Sequence, residues 1–285
     1  MKSIGIIGNG FVGSAIVSGF SLHADIKIYD AKPELSTHSL SEVVNESQYV
    51  FIGVPTPMKT VTGGEIVLDI MDSVFRDIAS IPKHDNFSYD NVIFIIKSTV
   101  VPGTVERYQK MYPELKIVFN PEFLTERSAR LDFINSSRIV LGGSSGDVDS
   151  VESLYRSRFP YKPIIKTDVA TAQFIKYMCN CFFSVKVSFM NEMKQAAQAG
   201  NINWNEAMAG FVSDGRIGNS HLDVPGHDGS HGFGGKCFPK DLNAFIHYFK
   251  LLGVNPAVML AAWEKNMEVR ENHDWLDIEG AVDEV

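Results

Sequence analysis

Cysteine is scarce in this sequence: among 285 residues the only three are Cys179, Cys181 and Cys237. So few cysteines, odd in number, exclude a disulfide framework, and Cys179 and Cys181 have neither zinc-ligand spacing nor a second pair after them. We therefore expect a reducing, cytoplasmic compartment. Each thiol is then either a small core residue or a nucleophile.

The sequence also contains fewer basic than acidic residues and has no long apolar run. Lys and Arg number 26 against 34 Asp and Glu, for a net charge of −8, and an acidic field opposes nucleic acid as a partner. No apolar run reaches the ~18 residues of a membrane span, so no membrane association is expected. The uncharged stretch 3–22 imitates a signal peptide, but glycines interrupt it and we expect it to be part of the fold.

The first half of the chain alternates apolar strand patterns with helical ones. At about 150 residues per domain, the length favours two domains. The alternation over 1–168 predicts an N-terminal Rossmann-like α/β domain built on a parallel sheet. Strands are predicted at 3–7, 26–29, 49–54, 92–96, 117–119 and 139–141, with helices at 11–22 and 66–78.

The second half, 169–285, predicts an all-helical domain. Residues 169–198 contain no Pro or Gly and are apolar nearly all round at first, which predicts a buried helix. Shorter helices are predicted at 204–212, 242–252 and 256–270, and the acidic tail from Asp274 is expected to fray. The loop 214–235 contains His221, His227 and His231, whose spacing fits no standard metal site, so no metal is predicted.

A glycine fingerprint, G-x-G-x-x-G, occupies residues 8–13 between the first predicted strand and helix. Gly8 suits the tight turn, Gly10 lets a pyrophosphate approach the main chain, and Gly13 lets helix pack on strand. The helix N-terminus offers free N–H groups to phosphates. Asp30, at the end of the second strand, suits a ribose diol and favours NAD over NADP.

Three further segments follow predicted strands, where ligands bind in an open parallel sheet. Residues 53–57 (GVPTP) and 97–104 (KSTVVPGT) are placed to line a cofactor site, although Pro and Gly occur in any turn. Residues 119–126 place Glu122 and Glu126 four apart. A carboxylate there suits a general base, or simply an acidic helix start.

Lys176 and Asn180 lie four apart on the long apolar helix. A buried ammonium is costly unless it meets a partner or a ligand, and the pair can donate hydrogen bonds to a developing alkoxide. The alternative is a lysine that extends to solvent beside a polar neighbour. Cys179 and Cys181 are predicted to point elsewhere as small buried residues.

The string 232–241, GFGGKCFPKD, is the most specific indication of a catalytic site in the sequence. Its three glycines let main chain and ligand approach Cys237 closely, and Pro239 suits the first turn of a helix. Cys237 is thus predicted at a helix N-terminus, where the dipole lowers the pKa of a thiol. Asp241, one turn further on, can order a water or orient a lysine.

Taken together, these strings resemble the UDP-glucose/GDP-mannose dehydrogenase family. They occur in the family's order over about 240 residues. The last is nearly diagnostic, whereas the fingerprint alone is not. The matching strings are the glycine fingerprint with Asp30, GVPTP, KSTVVPGT, FNPEFL at 119–124, RIV at 138–140, FIKYMCN at 174–180, DGRIG at 214–218 and GFGGKCFPKD.

The resemblance implies a four-electron oxidation of a nucleotide-sugar C6 alcohol, most simply UDP-glucose to UDP-glucuronate, which consumes two NAD in turn. It implies that Cys237 is the nucleophile, passing through a thiohemiacetal and a thioester. Lys176 and Asn180 match the oxyanion-stabilising pair. Thr99, Glu122 and Asp241 match residues that position or activate water.

The resemblance also implies the binding residues and a homodimer through the helical domain, in which Arg216 reaches the substrate of the partner subunit. The cofactor-binding residues are predicted to be Gly8, Gly10, Phe11, Val12, Gly13, Asp30, Val54, Pro55, Thr56, Ser98 and Thr99. The substrate-binding residues are predicted to be Glu122, Phe123, Leu124, Glu126, Lys176, Asn180, Arg216, Phe233 and Gly234.

The sequence departs from the family pattern in two places. Family members usually continue into a third, nucleotide-binding domain, so for a short form that ends at Val285 we expect the lid and much of the uridine pocket to be absent. Arg127 stands where a Gly often follows Glu126, so we expect that loop to bend differently. Two alternatives stay open: a two-electron 2-hydroxy-acid dehydrogenase of the hydroxyisobutyrate type, and a non-catalytic NAD-binding partner protein.

Overall fold

The computed structural model describes residues 1–59, 64–82 and 88–283, and divides the chain into two compact units. Unit 1 comprises Met1–Thr56 and Leu68–Lys176, and unit 2 comprises Pro57–Val67 and Tyr177–Val285. This division differs from the predicted ranges 1–168 and 169–285 in two places. Unit 1 extends to Lys176, so the first turns of the long helix belong to it, and the segment 57–67 groups with unit 2.

Unit 1 is built around a seven-stranded sheet. Its strands are β1 (Lys2–Ile7), β2 (Ala24–Tyr29), β3 (Tyr49–Ile52), β5 (Ile93–Ile96), β6 (Lys116–Phe119), β7 (Ile139–Gly142) and β8 (Ile164–Thr167), in the order β2-β1-β3-β5-β6-β7-β8. The strand pairs are parallel except β6 and β7, which meet antiparallel at Phe119 and Gly142. The predicted α/β fold is therefore confirmed, with a sheet that is mostly rather than wholly parallel.

Helices cover both faces of this sheet. They are α1 (Phe11–Phe20), α2 (Leu40–Asn45), α3 (Asp69–Ser80), α4 (Thr104–Met111), α5 (Ala129–Asn135) and α6 (Ser145–Arg158), with the first turns of α7 (Val169–Ala199). β5 reads Ile-Phe-Ile-Ile and is buried on both faces, because alternate side chains enter two separate apolar clusters. The loops that the sequence predicts to bind the cofactor follow the carboxyl ends of β1, β3 and β5.

Unit 2 is mainly helical. It contains the rest of α7, then α8 (Trp204–Val212), α9 (Phe238–Leu251) and α10 (Ala257–Val269). It also contains a small parallel ribbon, β4 (Met58–Lys59) with β9 (Val282–Asp283), which the prediction of an all-helical domain did not include.

The expectation that the tail frays after Asp274 is wrong. Trp275 is 3% exposed and packs with Met58 and Ala281, and the described chain stays ordered through β9. No helix in the described part of the chain is both long enough and apolar enough to span a membrane.

The predicted burial of α7 is incomplete within this single chain. Large apolar side chains stay exposed along one face of it: Phe174, Met178, Phe182 and Phe189.

Candidate active site

The glycine fingerprint forms the turn between β1 and α1. Gly8 has φ +91°, and a Cβ atom on Gly13 would lie 2.1 Å from the carbonyl oxygen of Gly8, so both positions need glycine. A Cβ on Gly10 would meet nothing within 4 Å, so the space above that residue is open. Gly8 and Gly13 therefore serve the turn and the packing of helix on strand, while Gly10 leaves the approach that a pyrophosphate needs.

The residues of this turn fit a dinucleotide. Gly10 is the N-cap of α1 and supplies no side-chain cap, so the first N–H groups of the helix, which begins with Phe11 and Val12, are left for a ligand such as a phosphate. The side-chain oxygen of Asn9 is buried and has no hydrogen-bond partner among the described residues. Asp30 accepts the N–H of Asn9 at 2.6 Å, which places its carboxylate beside the glycine turn.

The two loops after β3 and β5 are tied to each other. The Thr56 hydroxyl donates to the carbonyl oxygen of Thr99 at 2.9 Å, and the Ser98 hydroxyl donates to that of Val54 at 2.7 Å. Thr56, Ser98 and Thr99 are all buried. These two hydrogen bonds join the predicted cofactor residues of both loops at the carboxyl edge of the sheet, whereas Pro55 between them is exposed.

Lys176 and Glu122 form a buried ion pair in unit 1. Lys176 Nζ lies 2.7 Å from Glu122 Oε1, and both residues are at most 6% exposed. Glu122 Oε2 also accepts the N–H of Leu124 at 2.7 Å. The predicted lysine on α7 therefore has a partner rather than a path to solvent, and the partner is one of the predicted carboxylates.

A second buried lysine, Lys97, lies beside this pair. Its Nζ donates to Asn120 Oδ1 at 3.1 Å and to the carbonyl oxygen of Pro121 at 3.4 Å, which are both neutral oxygens. Burial lowers the pKa of Lys97 from 10.5 to about 7; attraction to Glu122 opposes that shift and repulsion from Lys176 adds to it. Lys97 was not among the residues predicted from the sequence. Its position directly after the apolar run Ile93–Ile96 could have identified it, because a lysine at the end of a buried strand is itself expected to be buried.

The remaining predicted residues of the 119–126 loop differ in exposure. Phe123 packs under the Arg138 guanidinium, 4.3 Å from its ring centre, with Lys176 Nζ at 5.7 Å. Glu126 is exposed and begins a short 3-10 turn, Glu126–Ser128, so it lies apart from the buried Glu122. The predicted contacts of Phe123, Leu124 and Glu126 with substrate stay predictions.

In unit 2, Cys237 is the N-cap residue of α9 and is half-buried. Asp241, one turn into the helix and 1% exposed, accepts a hydrogen bond from Asn180 Nδ2 at 2.6 Å and pairs with Lys240 Nζ at 2.6 Å. Of the two predicted functions of Asp241, orienting a lysine is the one with a visible partner, and that lysine is its own neighbour.

The other two cysteines differ from Cys237. Cys181 is buried, and its burial together with the negative charge of Asp241 raises the pKa of its thiol well above the usual value. Cys179 is half-buried on α7. Arg216 is exposed and pairs with Asp214 two residues before it. Its predicted reach into a partner subunit stays a prediction.

The structure thus gathers the predicted residues into two groups. In unit 1 it brings together Lys176, Glu122 and Leu124, and separately ties the 54–56 and 98–99 loops. In unit 2 it joins Asn180 to Asp241, on the helix that Cys237 caps. Lys176 and Asn180 lie one turn apart on the continuous helix α7.

Phe233 is buried and is bonded to a residue of α10. Its side chain is 3% exposed, and its N–H and carbonyl groups are both bonded to the side chain of Asn266. Its contact with substrate stays a prediction, as does that of Gly234. Asn266, Arg270 and Asp274 surround this loop and were not identified from the sequence, because nothing local marks a residue some 35 positions away as a partner.

Comparison with known proteins gives two family models that together cover most of the chain. The NAD-binding domain of the UDP-glucose/GDP-mannose dehydrogenase family matches residues 27–158, and the central domain of that family matches residues 170–268.

Among curated relatives, a GDP-mannose 6-dehydrogenase of Pseudomonas syringae pv. tomato is 30% identical over 250 residues, which are 83% of this chain and 54% of the relative. The UDP-glucose 6-dehydrogenase TuaD of Bacillus subtilis is 31% identical over 241 residues, 82% of this chain and 49% of the relative. The chain therefore spans about half the length of these relatives. Among solved structures, a UDP-glucose dehydrogenase from Pyrobaculum islandicum superposes with a TM-score of 0.79 at 25% identity, over 94% of this chain and 68% of the other.

Proposed function

The chain belongs to the UDP-glucose/GDP-mannose dehydrogenase family, and on that premise we propose that it oxidises the C6 alcohol of a nucleotide sugar to the carboxylate. NAD is the cofactor of the family's N-terminal domain, and when bound it accepts the hydride of each oxidation step. UDP-glucose is the proposed substrate, with UDP-glucuronate as product. Because the chain spans about half of its curated relatives, the activity itself is part of the proposal.

One observation supports the proposal most strongly. Cys237 caps a helix that begins directly after the glycine loop 232–235, and Asp241 on the first turn of the same helix is hydrogen-bonded to Asn180. A thiol at a helix N-terminus is stabilised as the thiolate. A two-electron alcohol dehydrogenase needs no nucleophile, so a cysteine in this position favours the four-electron reaction.

The residues of the chain divide the chemistry between them. In the first oxidation, the substrate C6 hydroxyl loses a proton and a hydride and becomes an aldehyde, and Lys176 and Asn180 donate hydrogen bonds to the oxygen as it takes up negative charge. The Cys237 thiolate then adds to the aldehyde carbon, which retains the reactive intermediate as a thiohemiacetal. Loss of the second hydride gives a thioester.

Water hydrolyses this thioester, which releases the carboxylate and restores the thiol. We assign the positioning of that water to Glu122, Thr99 and Asp241. Glu122 is suited to this because its carboxylate is buried and already oriented by Lys176 and by the N–H of Leu124.

The test is to count NADH formed for each UDP-glucose consumed, by absorbance at limiting substrate. We expect two for the unmodified protein and for Cys179→Ala, the matched control thiol, and at most one for Cys237→Ala, with an aldehyde that a carbonyl reagent traps. Two NADH from Cys237→Ala would refute the role of the cysteine.

Other outcomes identify other functions. One NADH from the unmodified protein would indicate a two-electron dehydrogenase. NAD binding by calorimetry without reduction, across a panel of UDP- and GDP-sugars, would indicate a non-catalytic partner protein.

We further propose that the protein is a homodimer through α7. Four large apolar side chains on this helix are exposed, and Phe182 is 62% exposed. Such a row of apolar groups on one helix is costly in water and suits a self-complementary interface with a second copy. Light scattering should give a dimer that Phe182→Glu converts to a monomer, while Leu131→Glu, at a 64% exposed leucine on α5, leaves it intact. We also propose the reducing, cytoplasmic compartment expected from the sequence, because three cysteines are too few for a disulfide framework.

A further inference from the structure

The glycine loop before Cys237 is held by side chains that come from far along the chain. Asn191 Oδ1 accepts the N–H of Gly232 at 3.2 Å. Asn266 Oδ1 accepts the N–H of Phe233 at 2.6 Å, and Asn266 Nδ2 donates to the carbonyl oxygen of the same residue at 3.0 Å. The fully buried side-chain amide of Asn266 is therefore hydrogen-bonded to both main-chain polar groups of Phe233.

A buried arginine continues this arrangement. Arg270 is the C-cap residue of α10, one turn after Asn266, and its side chain is 1% exposed. Its guanidinium pairs with Asp228 at 2.8 Å and with Asp274 at 3.0 Å. Asp274 in turn accepts the N–H of Gly235 at 3.1 Å. The ion pair between Arg270 and Asp274 is therefore connected to the main chain two residues before Cys237.

The glycines of the loop match these side chains in shape. A Cβ on Gly232 would lie 2.3 Å from Asn266 Oδ1, and a Cβ on Gly234 would lie 2.1 Å from an Arg270 nitrogen. Gly235, by contrast, has open space where its Cβ would be. Two of the three glycines are therefore required by packing within the protein, and Gly235 is the one that leaves room for a ligand.

We propose that Asn266 and Arg270, the latter through Asp274, are positioning residues that clamp the 232–235 loop and so hold Cys237 at the N-terminus of α9. This inference rests on the proposed function only for the consequence it has in catalysis. The loop takes positive φ at both Gly232 (+69°) and Gly235 (+71°), a conformation that a glycine-rich chain has little reason to keep without such contacts. Without the clamp, the loop gains other conformations and the thiol loses its fixed place at the helix terminus.

The experiment compares Asn266→Ala, Arg270→Met and Arg270→Lys with Ser188→Ala as the matched control. Ser188 is as buried and donates a hydrogen bond to the carbonyl oxygen of Ala262 in α10, but it makes no described contact with the loop. The first readout is the rate of iodoacetamide labelling at pH 7, measured by mass spectrometry at Cys237 relative to Cys179 within the same molecule.

We expect the relative labelling rate of Cys237 to fall about tenfold in Asn266→Ala and Arg270→Met, because the thiol would no longer be held at the helix N-terminus, where the helix dipole favours the reactive thiolate. Arg270→Lys keeps the charge between the two aspartates and should restore part of the rate. Ser188→Ala should leave it unchanged. Unchanged labelling of Cys237 in folded Asn266→Ala would overturn the proposal, and if that variant does not fold, unchanged labelling of Cys237 in folded Arg270→Met would do so.

The second readout is turnover of UDP-glucose with NAD. A displaced nucleophile should lower kcat about tenfold or more, because the loop would no longer fix the position of the reacting thiol. A change in KM would report the predicted contacts of Phe233 and Gly234 with substrate. If the unmodified protein reduces no NAD, the proposed function fails while the labelling data still decide whether the clamp exists.

Discussion

Replacement of Lys97 by Met should change how the stability of this protein depends on pH. Three charged groups, Lys97, Lys176 and Glu122, are each at most 6% exposed in unit 1, so two ammonium groups share one carboxylate. Lys176 contacts that carboxylate directly, whereas the acceptors of Lys97 among the described residues are two neutral oxygens. The excess proton is therefore lost most easily from Lys97, whose pKa burial lowers from 10.5 to about 7.

The sign of the effect follows from which state holds the proton. Between pH 7 and pH 10 the unfolded chain keeps Lys97 protonated and the folded chain does not, so the free energy of unfolding rises with pH in this window. With these pKa values, the Lys97 contribution to that free energy rises by about 2 kcal/mol between pH 7 and pH 9. Below about pH 6 both states are protonated and the contribution is flat.

The assay is urea denaturation of the unmodified protein and of Lys97→Met at pH 6, 7, 8 and 9. The variant loses hydrogen bonds as well, but that offset does not depend on pH, so the difference between the two proteins isolates the titration. Lys110→Met, at an exposed lysine on α4, is the control and should show no such trend. A difference that stays constant from pH 7 to pH 9 would mean that Lys97 is charged in the folded protein, which would refute the charge assignment made here.

Three further predictions concern the cofactor turn and the ion pair. Gly13→Ala should cost about 1–3 kcal/mol of stability in denaturant, because its methyl group would lie 2.1 Å from a carbonyl oxygen, whereas Gly10→Ala should fold normally and weaken NAD binding in calorimetry. Glu122→Gln should destabilise the protein by about 3–5 kcal/mol, because Lys176 is then buried without its counter-charge; equal urea midpoints would contradict this. Asp30→Asn should reduce the preference for NAD over NADP about tenfold, measured as the ratio of the two Kd values. The reason is that the variant removes the carboxylate beside the glycine turn, whose charge would repel the 2′-phosphate of NADP.

Much of the α/β fold follows from short apolar runs and the glycine turn, since the strands buried on both faces have a continuous apolar sequence. Within the seven-stranded sheet, β8 is the strand that was not predicted, and its sequence shows why. It lies at the edge of the sheet and contains Lys166, which is exposed and paired with Asp149, so it has no unbroken apolar run. The antiparallel contact between β6 and β7 is also invisible in sequence, because it depends on how the chain turns back and not on residue type.

For the candidate site, helical spacing identified the pair Lys176 and Asn180, because a turn of α-helix relates them. Their partners could not be found in that way. Glu122 lies 54 positions from Lys176 and Asp241 lies 61 positions from Asn180, and each pairing exists only after the sheet or the helices have packed. Local spacing predicts which side chains share a face, but tertiary structure decides what that face meets.

The acidic composition of the C-terminal tail predicted the wrong structure, because the burial of one tryptophan contributes more to stability than the acidic residues oppose. Its acidic residues suggested a solvated, fraying segment, yet Trp275 is 3% exposed against Met58 and Ala281. Burial of an indole removes about 150–250 Å² from water, and at about 25 cal/mol per Å² this is worth about 4–6 kcal/mol, enough to order several residues at about 1–2 kcal/mol each. Asp274 is therefore held in place by the residue beside it, and an acidic group expected in solvent becomes the acceptor for Gly235 two residues before the proposed nucleophile.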